Sequence, residues 1–332
     1  MGSRRTPLEL TPQSTRALTE RLAHVAAAEG LVYGIASPAQ RPDASVLQAW
    51  LRAGHAAGLD YMQRHVALRL EPERFAPGTG SILCFAWNYH RRDPEPAPRG
   101  APHRREDKGF RIASYAWGRD YHHSFKQKLH RLLRALQVVE HRLRGRVAVD
   151  TAPVLERHWA AASGLGWIGR NGCLIVPRIG SRVFLGEIFL NVAMPPGRRL
   201  AAACGECRRC IAACPGQALS LTAPLDARRC RSYWTVEHRG PFPEGNEMPP
   251  LDPWLFGCDV CQLVCPHNEA APEADVGWAP EVRAALGWGA GAWRALGAEG
   301  FARLFGGTPL ARTGYEGILR NLERICAERR RS

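Results

Sequence analysis

The sequence predicts an α+β protein, and three observations predict it. Strand-like and helix-like runs are mixed across residues 1–195. Eight of the eleven cysteines fall between 204 and 267. Beyond 270 the chain turns rich in Ala, Trp and Leu at helical spacing. A length of 332 residues exceeds one compact core. Three regions are expected: 1–197 with mixed elements of α/β or α+β type, a cysteine-rich 198–270, and a short helical 271–332.

Leu18, Leu22, Val25 and Ala26 recur at helical spacing, so 11–29 reads as a helix that Gly30 ends. LVYGIAS (31–37) reads as a strand and 45–62 as a helix passing into a Gly turn. SILCFAWNY (81–89) is a buried strand, and the Pro- and Arg-rich 90–111 an exposed loop. A long helix is expected over 121–144, with Leu129, Leu132, Leu133, Leu136 and Leu143 inward. Its cations, Lys126, Lys128, Arg131, Arg134, Arg142 and Arg144, lie mostly off that face. RVAVDT (146–151) is a strand and PVLERHWAAASGL begins a helix. CLIVP and RVFLGEIFLNVAM alternate as a hairpin would.

Forty-five Lys+Arg against thirty-one Asp+Glu give a net charge of +14. Clustered cations favour a polyanionic partner, because phosphate contacts release counterions. Arginine-rich, Ala-, Gly- and Pro-rich usage also fits a GC-rich genome, and the cations of 121–144 read equally as a solvated face. No window of eighteen apolar residues occurs, so no membrane span is expected. Arg4 and Arg5 are not followed by the apolar stretch an export signal needs, and a cytoplasmic location is expected. Eleven cysteines there mean metal or redox chemistry rather than disulfides.

Cys204-x2-Cys207-x2-Cys210-x3-Cys214-Pro215 is the bacterial ferredoxin run, in which the fourth cysteine ligates the other cluster. Cys258-x2-Cys261-x3-Cys265-Pro266 matches the last three cysteines of the same run. Leu255 stands where its first cysteine would be, and Cys230 is the unassigned cysteine nearby. The crossover gives one 4Fe–4S cluster to Cys204, Cys207, Cys210 and Cys265, and a second to Cys214, Cys230, Cys258 and Cys261. Paired CxxC motifs also make zinc sites, but two runs closing in Cys-Pro favour iron–sulfur. Cys84, Cys173 and Cys326 are left as buried thiols. No GxGxxG follows a strand, so a Rossmann nucleotide site is unsupported. The four glycines of SGLGWIGRNG (163–172) allow close approach to a bulky cofactor, or make a tight turn.

Several segments recur in a recognisable order. They are YGIAS (33–37), LDYM with Arg69, ILCFAWNY (82–89), SYAWGRDYHHSFKQKL (114–129), VDTAPVLERHWAAASGLGWIGRNGCLI (149–175), LGEIFLN (185–191) and GTPLARTGYEGILRNL (307–322). With the ferredoxin runs, they resemble the epoxyqueuosine reductases, cobalamin-dependent iron–sulfur enzymes that finish queuosine in tRNA. The resemblance implies a first domain that binds cobalamin with its lower base displaced, beside a ferredoxin-like domain. Electrons from an external low-potential donor would pass through the clusters to cobalt in a monomeric protein. The epoxide would become an alkene with loss of water, consuming two electrons and two protons.

Asp150 ends a strand, and the resemblance makes it the proton donor. The competing reading is a helix cap before Pro-Val-Leu-Glu. Asp120, Tyr121 and His122 are pocket candidates. Asp120-x-His122-x-x-Phe125 ends in Phe where a cobalt-ligating D-x-H-x-x-G motif has Gly, so His122 is not taken as a cobalt ligand. Gly164, Gly166, Trp167, Gly169, Arg170 and Asn171 are candidates for a cobalamin-binding loop. The substrate implied is a tRNA anticodon stem-loop, for which helix 121–144 and Arg312, Arg320 and Arg324 are candidate phosphate contacts. Longer members end in a helical-repeat extension, so some tRNA contacts are expected to be lost or relocated here. The competing classes are a corrinoid reductive dehalogenase and a non-catalytic di-cluster carrier.

Overall fold

Residues 183–190, VFLGEIFL, are apolar on both alternating sets, as suits a strand covered on two faces. The computed structural model, which describes residues 6–92, 109–244, 248–274 and 276–331, places them inside a sheet. Its strands are β1 (Val32–Ala36), β2 (Ser81–Asn88), β3 (Arg111–Ile112), β4 (Gly145–Ala148), β5 (Trp167–Ile168), β6 (Leu174–Ile175), β7 (Val183–Leu190) and β8 (Trp254–Phe256). Four of them form one sheet in the order β1-β2-β7-β4, antiparallel at every pairing. The mixed reading of the first half therefore resolves to α+β.

Two layers cover the sheet. Phe184, Ile188 and Leu190 face the helices Pro12–Ala28 and Tyr121–Gln137, burying Leu18, Leu22, Phe125 and Leu129. Gly186 lets the second helix approach, since a Cβ there would lie 2.9 Å from a methyl of Leu129. The opposite face carries Leu185 and Phe189 with Ile82, Cys84 and Ala86, covered by the short helix Glu156–Ala162. Glu187 shares that apolar face.

A separate core lies C-terminal. Trp293, Phe305, Ile318, Leu322 and Ile325 pack with Phe256, and with Phe110, Ile112 and Trp117 from the first half. Parallel pairing of β3 with β8 carries that early segment across. The helices after 280 thus share one core with residues 227–256. Ser114 N–H donates to Asp259 Oδ2 (2.7 Å) and Ser181 Oγ to Gln262 Oε1 (3.1 Å), tying the cysteine-rich segment to the first half.

The helix begun at 45–62 passes into its turn at Gly54: it ends at Arg52, and Gly54 and Ala57 take positive φ before Asp60–Arg64. Two local expectations are corrected. The helix over 121–144 ends at Gln137; Leu143 is buried, but in the turn that leads into β4. CLIVP does not form a hairpin with 182–194. Both edges of β7 are taken by β2 and β4, so β6 pairs with β5 instead. The loop expected at 90–111 falls largely outside the described residues. Among the described residues, no helix is long and apolar enough to cross a membrane.

Candidate active site and cluster cradle

Asp150 follows β4 with φ of 49°, a left-handed conformation uncommon for a residue with a Cβ. It caps no helix: the next begins at Glu156 behind Leu155, with no side-chain cap. Two contacts pin it instead. Its N–H donates to Glu156 Oε1 (2.5 Å), and its Oδ2 meets His122 Nε2 at 2.8 Å. His122 Nδ1 lies 2.6 Å from Asp120 Oδ1. Asp120 also accepts the His122 N–H (3.0 Å) and so starts the helix that carries the histidine. Asp120 thus both caps the helix and holds the ring, and both His122 ring nitrogens are engaged by carboxylates.

Burial alone would lower the His122 pKa, but the hydrogen bonds to Asp120 and Asp150 outweigh it and push it up to about 9. Histidine therefore holds a proton one hydrogen bond from Asp150 at neutral pH. With the folded value raised from 6.5, the pairing stabilises fully below about pH 6.5 and is lost as pH climbs through about 9. Turnover is expected to fall along an alkaline limb near pH 9, and His122→Asn to remove that limb from the pH–rate profile.

Behind Asp150 stand two acids that sequence reasoning missed. Burial pushes Glu156 upward, and the Asp150 charge adds to it. Glu187 is 0% exposed, with both oxygens unpartnered, and burial raises it well above the carboxylate range, with Glu156 contributing. An ionised carboxylate there would cost several kcal/mol, so both acids hold protons near neutrality. Neutral Glu156 still accepts the Asp150 N–H through its carbonyl oxygen. Glu156→Gln keeps that acceptor and is expected to retain turnover. Glu156→Ala loses it and is expected to cost about tenfold in kcat, the value of one hydrogen bond of ~1.4 kcal/mol, in steady-state assays. The available signal was a lone acid on an otherwise apolar strand.

Tyr61 and Arg69 join the site from the other side. Arg69 Nη2 donates to the Tyr61 carbonyl (3.1 Å). Burial, then Glu237 and Asp150, lift the Tyr61 hydroxyl to about 12, which places the phenol within electrostatic reach of Asp150. Tyr121 stacks on His122 (ring centroids 4.2 Å apart) and on Phe184 (4.0 Å). It lines a cavity of about 240 Å³ with Trp87, Tyr89, Tyr115, Phe184 and Trp278, rimmed by Arg91 and Arg119.

The cysteines fall into two sets. Cys204, Cys207, Cys210 and Cys265 line one cavity, with Arg170, Asn171 and His267. The second set is joined electrostatically: Cys230 is raised by Cys214, Cys258 by Cys230, and Cys261 by both Cys258 and Cys230, each after burial. Among the described residues, no three His, Cys, Asp or Glu side chains gather closely enough to hold a single metal ion. Leu255, at the motif's missing position, is fully buried in β8 within the C-terminal core. Cys84 and Cys326 are buried thiols, whereas Cys173 is half-buried and electrostatically coupled to Cys261.

The glycine-rich loop turns toward the first cysteine set. A Cβ at Gly164 would meet the Arg198 carbonyl, one at Gly166 the Ile175 carbonyl, and one at Gly169 the Ile175 side chain. These glycines serve close packing of the chain on itself. Trp167 packs with Ile175 and Cys265, and Arg170 Nη2 donates to the Gly205 carbonyl (2.7 Å).

The cations singled out for phosphate contact are mostly used internally. Lys128 and Arg131 bind Glu29, Arg142 binds Glu140, and Arg144 binds the carbonyls of His141 and Leu143. Arg312 pairs with Glu237 and Arg324 with Glu328, while Arg320 donates to the carbonyls of Trp234, His238 and Gly240. Glu29 and Glu237 lie far away in sequence and Arg144 and Arg320 use backbone carbonyls, whereas Glu140 and Glu328 are local partners.

Family models match in two places: "Epoxyqueuosine reductase QueG, DUF1730" over residues 69–151, and "4Fe-4S double cluster binding domain" over 203–268. A reductase family model followed by a double-cluster domain defines an iron–sulfur oxidoreductase. An epoxyqueuosine reductase of Xanthomonas campestris is 38% identical over 283 residues, covering 84% of this chain and 78% of that protein. The crystal structure of an epoxyqueuosine reductase with an epoxyqueuosine-modified tRNA-Tyr stem loop superposes with a TM-score of 0.81 at 26% identity, over 95% of this chain and 82% of that one. The Bacillus subtilis epoxyqueuosine reductase, with its catalytic aspartate loop swung out of the active site, superposes at 0.79 and 25% over the same shares. The chain belongs to the epoxyqueuosine reductase family.

Proposed function

We propose that the protein reduces the epoxide of epoxyqueuosine in a tRNA anticodon stem-loop to the alkene of queuosine, releasing water. One observation carries the assignment of the acid: Asp150 is held in a left-handed turn between His122 and Glu156. A mobile catalytic aspartate loop in the B. subtilis relative supports the same role for this turn. The stem loop bound by another relative supports tRNA as the substrate carrier.

In this reading the His122 proton crosses the 2.8 Å contact to the Asp150 carboxylate, which gives it to the epoxide oxygen as the C–O bond breaks, and Asp120 keeps the imidazole oriented. Loss of the oxygen as water takes two protons and two electrons in all. An external low-potential donor feeds the electrons through two 4Fe–4S clusters, one on Cys204, Cys207, Cys210 and Cys265, the other on Cys214, Cys230, Cys258 and Cys261. The cavity that four cysteines line fits the first of these clusters.

Carboxyls and imidazole move protons but not electron pairs to carbon, and cobalamin is the group that would supply this chemistry when bound. The aromatic walls beside Asp150, from Tyr115, Tyr121, Phe184, Trp87 and Trp278, offer the flat apolar bed such a macrocycle needs. Equilibrium binding of cobalamin, followed by absorbance after gel filtration, tests this part. Retention by the wild-type protein and weakened retention by Tyr121→Ala are expected. Full epoxyqueuosine turnover without added or bound cobalamin would contradict it.

A further inference from the structure

The loop Trp167–Asn171 holds three buried hydrogen-bond donors without partners: Trp167 Nε1, Arg170 Nε and Asn171 Nδ2. A buried donor left unmatched is costly, and three within five residues call for a common acceptor. The orientation of Asn171 is fixed. Its Oδ1 accepts the Cys173 N–H at 3.1 Å, so its amide nitrogen points the other way. Arg170 is anchored through Nη2 to the Gly205 carbonyl, inside the CGEC turn itself. Both side chains line the cavity of Cys204, Cys207, Cys210 and Cys265. Trp167 packs beside Cys265, its ring edge-on to His267 at 5.1 Å. No protein acceptor faces these donors among the described residues, but the sulfurs of a cluster in that cavity are acceptors.

We infer that Asn171, Arg170 and Trp167 donate hydrogen bonds to the sulfurs of the cluster held by Cys204, Cys207, Cys210 and Cys265, and thereby raise its reduction potential. This rests on the ligand set proposed above. The sign follows from charge. Reduction adds one negative charge to the cluster, and N–H donors with a guanidinium stabilise the more negative state. The glycine-rich loop is then an outer layer of the cluster site, held to the CGEC turn by the Arg170–Gly205 hydrogen bond.

The test is a redox titration followed by electron paramagnetic resonance, with iron and sulfide counted on each sample. Asn171→Asp keeps the acceptor for Cys173 N–H and removes the donor. It is expected to disfavour the reduced form of one cluster about tenfold, a fall of about 59 mV for a one-electron couple. The other cluster keeps its potential, and iron stays at about eight per chain. Asn171→Leu removes the donor without adding charge and is expected to lower the potential less. Trp167→Phe keeps the ring packing and is expected to give a smaller fall again. Unchanged potentials in all three variants, at full iron content, would overturn the inference. Zinc with little iron in the wild-type protein would instead refute the cluster reading on which it rests.

Discussion

Asp150→Asn is expected to abolish conversion of epoxyqueuosine while both clusters and the fold persist. The residue is half-exposed and lies in a turn, so its loss removes no core packing. Asparagine tolerates the left-handed conformation and keeps the N–H that Glu156 accepts. It cannot deliver a proton. General acid catalysis of this kind contributes about 10²–10⁴-fold, so single-turnover rates should fall by at least two orders of magnitude. Iron content and thermal unfolding should match the wild type. His122→Asn should lie between the two, since it leaves the acid in place but without the proton held beside it. Equal rates for Asp150→Asn and wild type would remove Asp150 from the chemistry.

Cys230→Ala should show the second large effect, loss of one cluster and of turnover together. Cys230 stands 28 residues before Cys258, yet the turn Ala227–Arg229 delivers it to the side of Cys214. Leu255 cannot take its place, because its side chain is committed to the C-terminal core. Iron is expected to fall from about eight toward about four per chain, with the cluster at Cys204, Cys207, Cys210 and Cys265 retained. Full iron in Cys230→Ala would break the proposed pairing of cysteines.

The gathering of Cys265 with Cys204, Cys207 and Cys210 at one cavity agrees with the spacing of the runs, because ligand spacing is local. The crossover rule then joined two distant runs without any knowledge of the fold. Asp150 was legible only in part. Capping and catalysis look alike in VDTAPVLER, and they separate once the helix is seen to start at Glu156. The glycine-rich loop could be read no further than close approach, for a physical reason. Glycine marks close approach without naming what approaches, and here the chain's own carbonyls do so. Glu187 was signalled only as a lone acid on an otherwise apolar strand, a pattern that does not say which site the acid backs. The basic face misled because the carboxylate that neutralises Lys128 and Arg131 is Glu29, about a hundred residues earlier.

Nucleoside analysis of epoxyqueuosine-containing tRNA tests the central claim most directly. The tRNA is incubated with the fully clustered, cobalamin-loaded protein and a low-potential reductant, then digested and resolved. Queuosine should accumulate as epoxyqueuosine disappears. Epoxyqueuosine left unchanged by protein with both clusters and cobalamin in place would contradict the account.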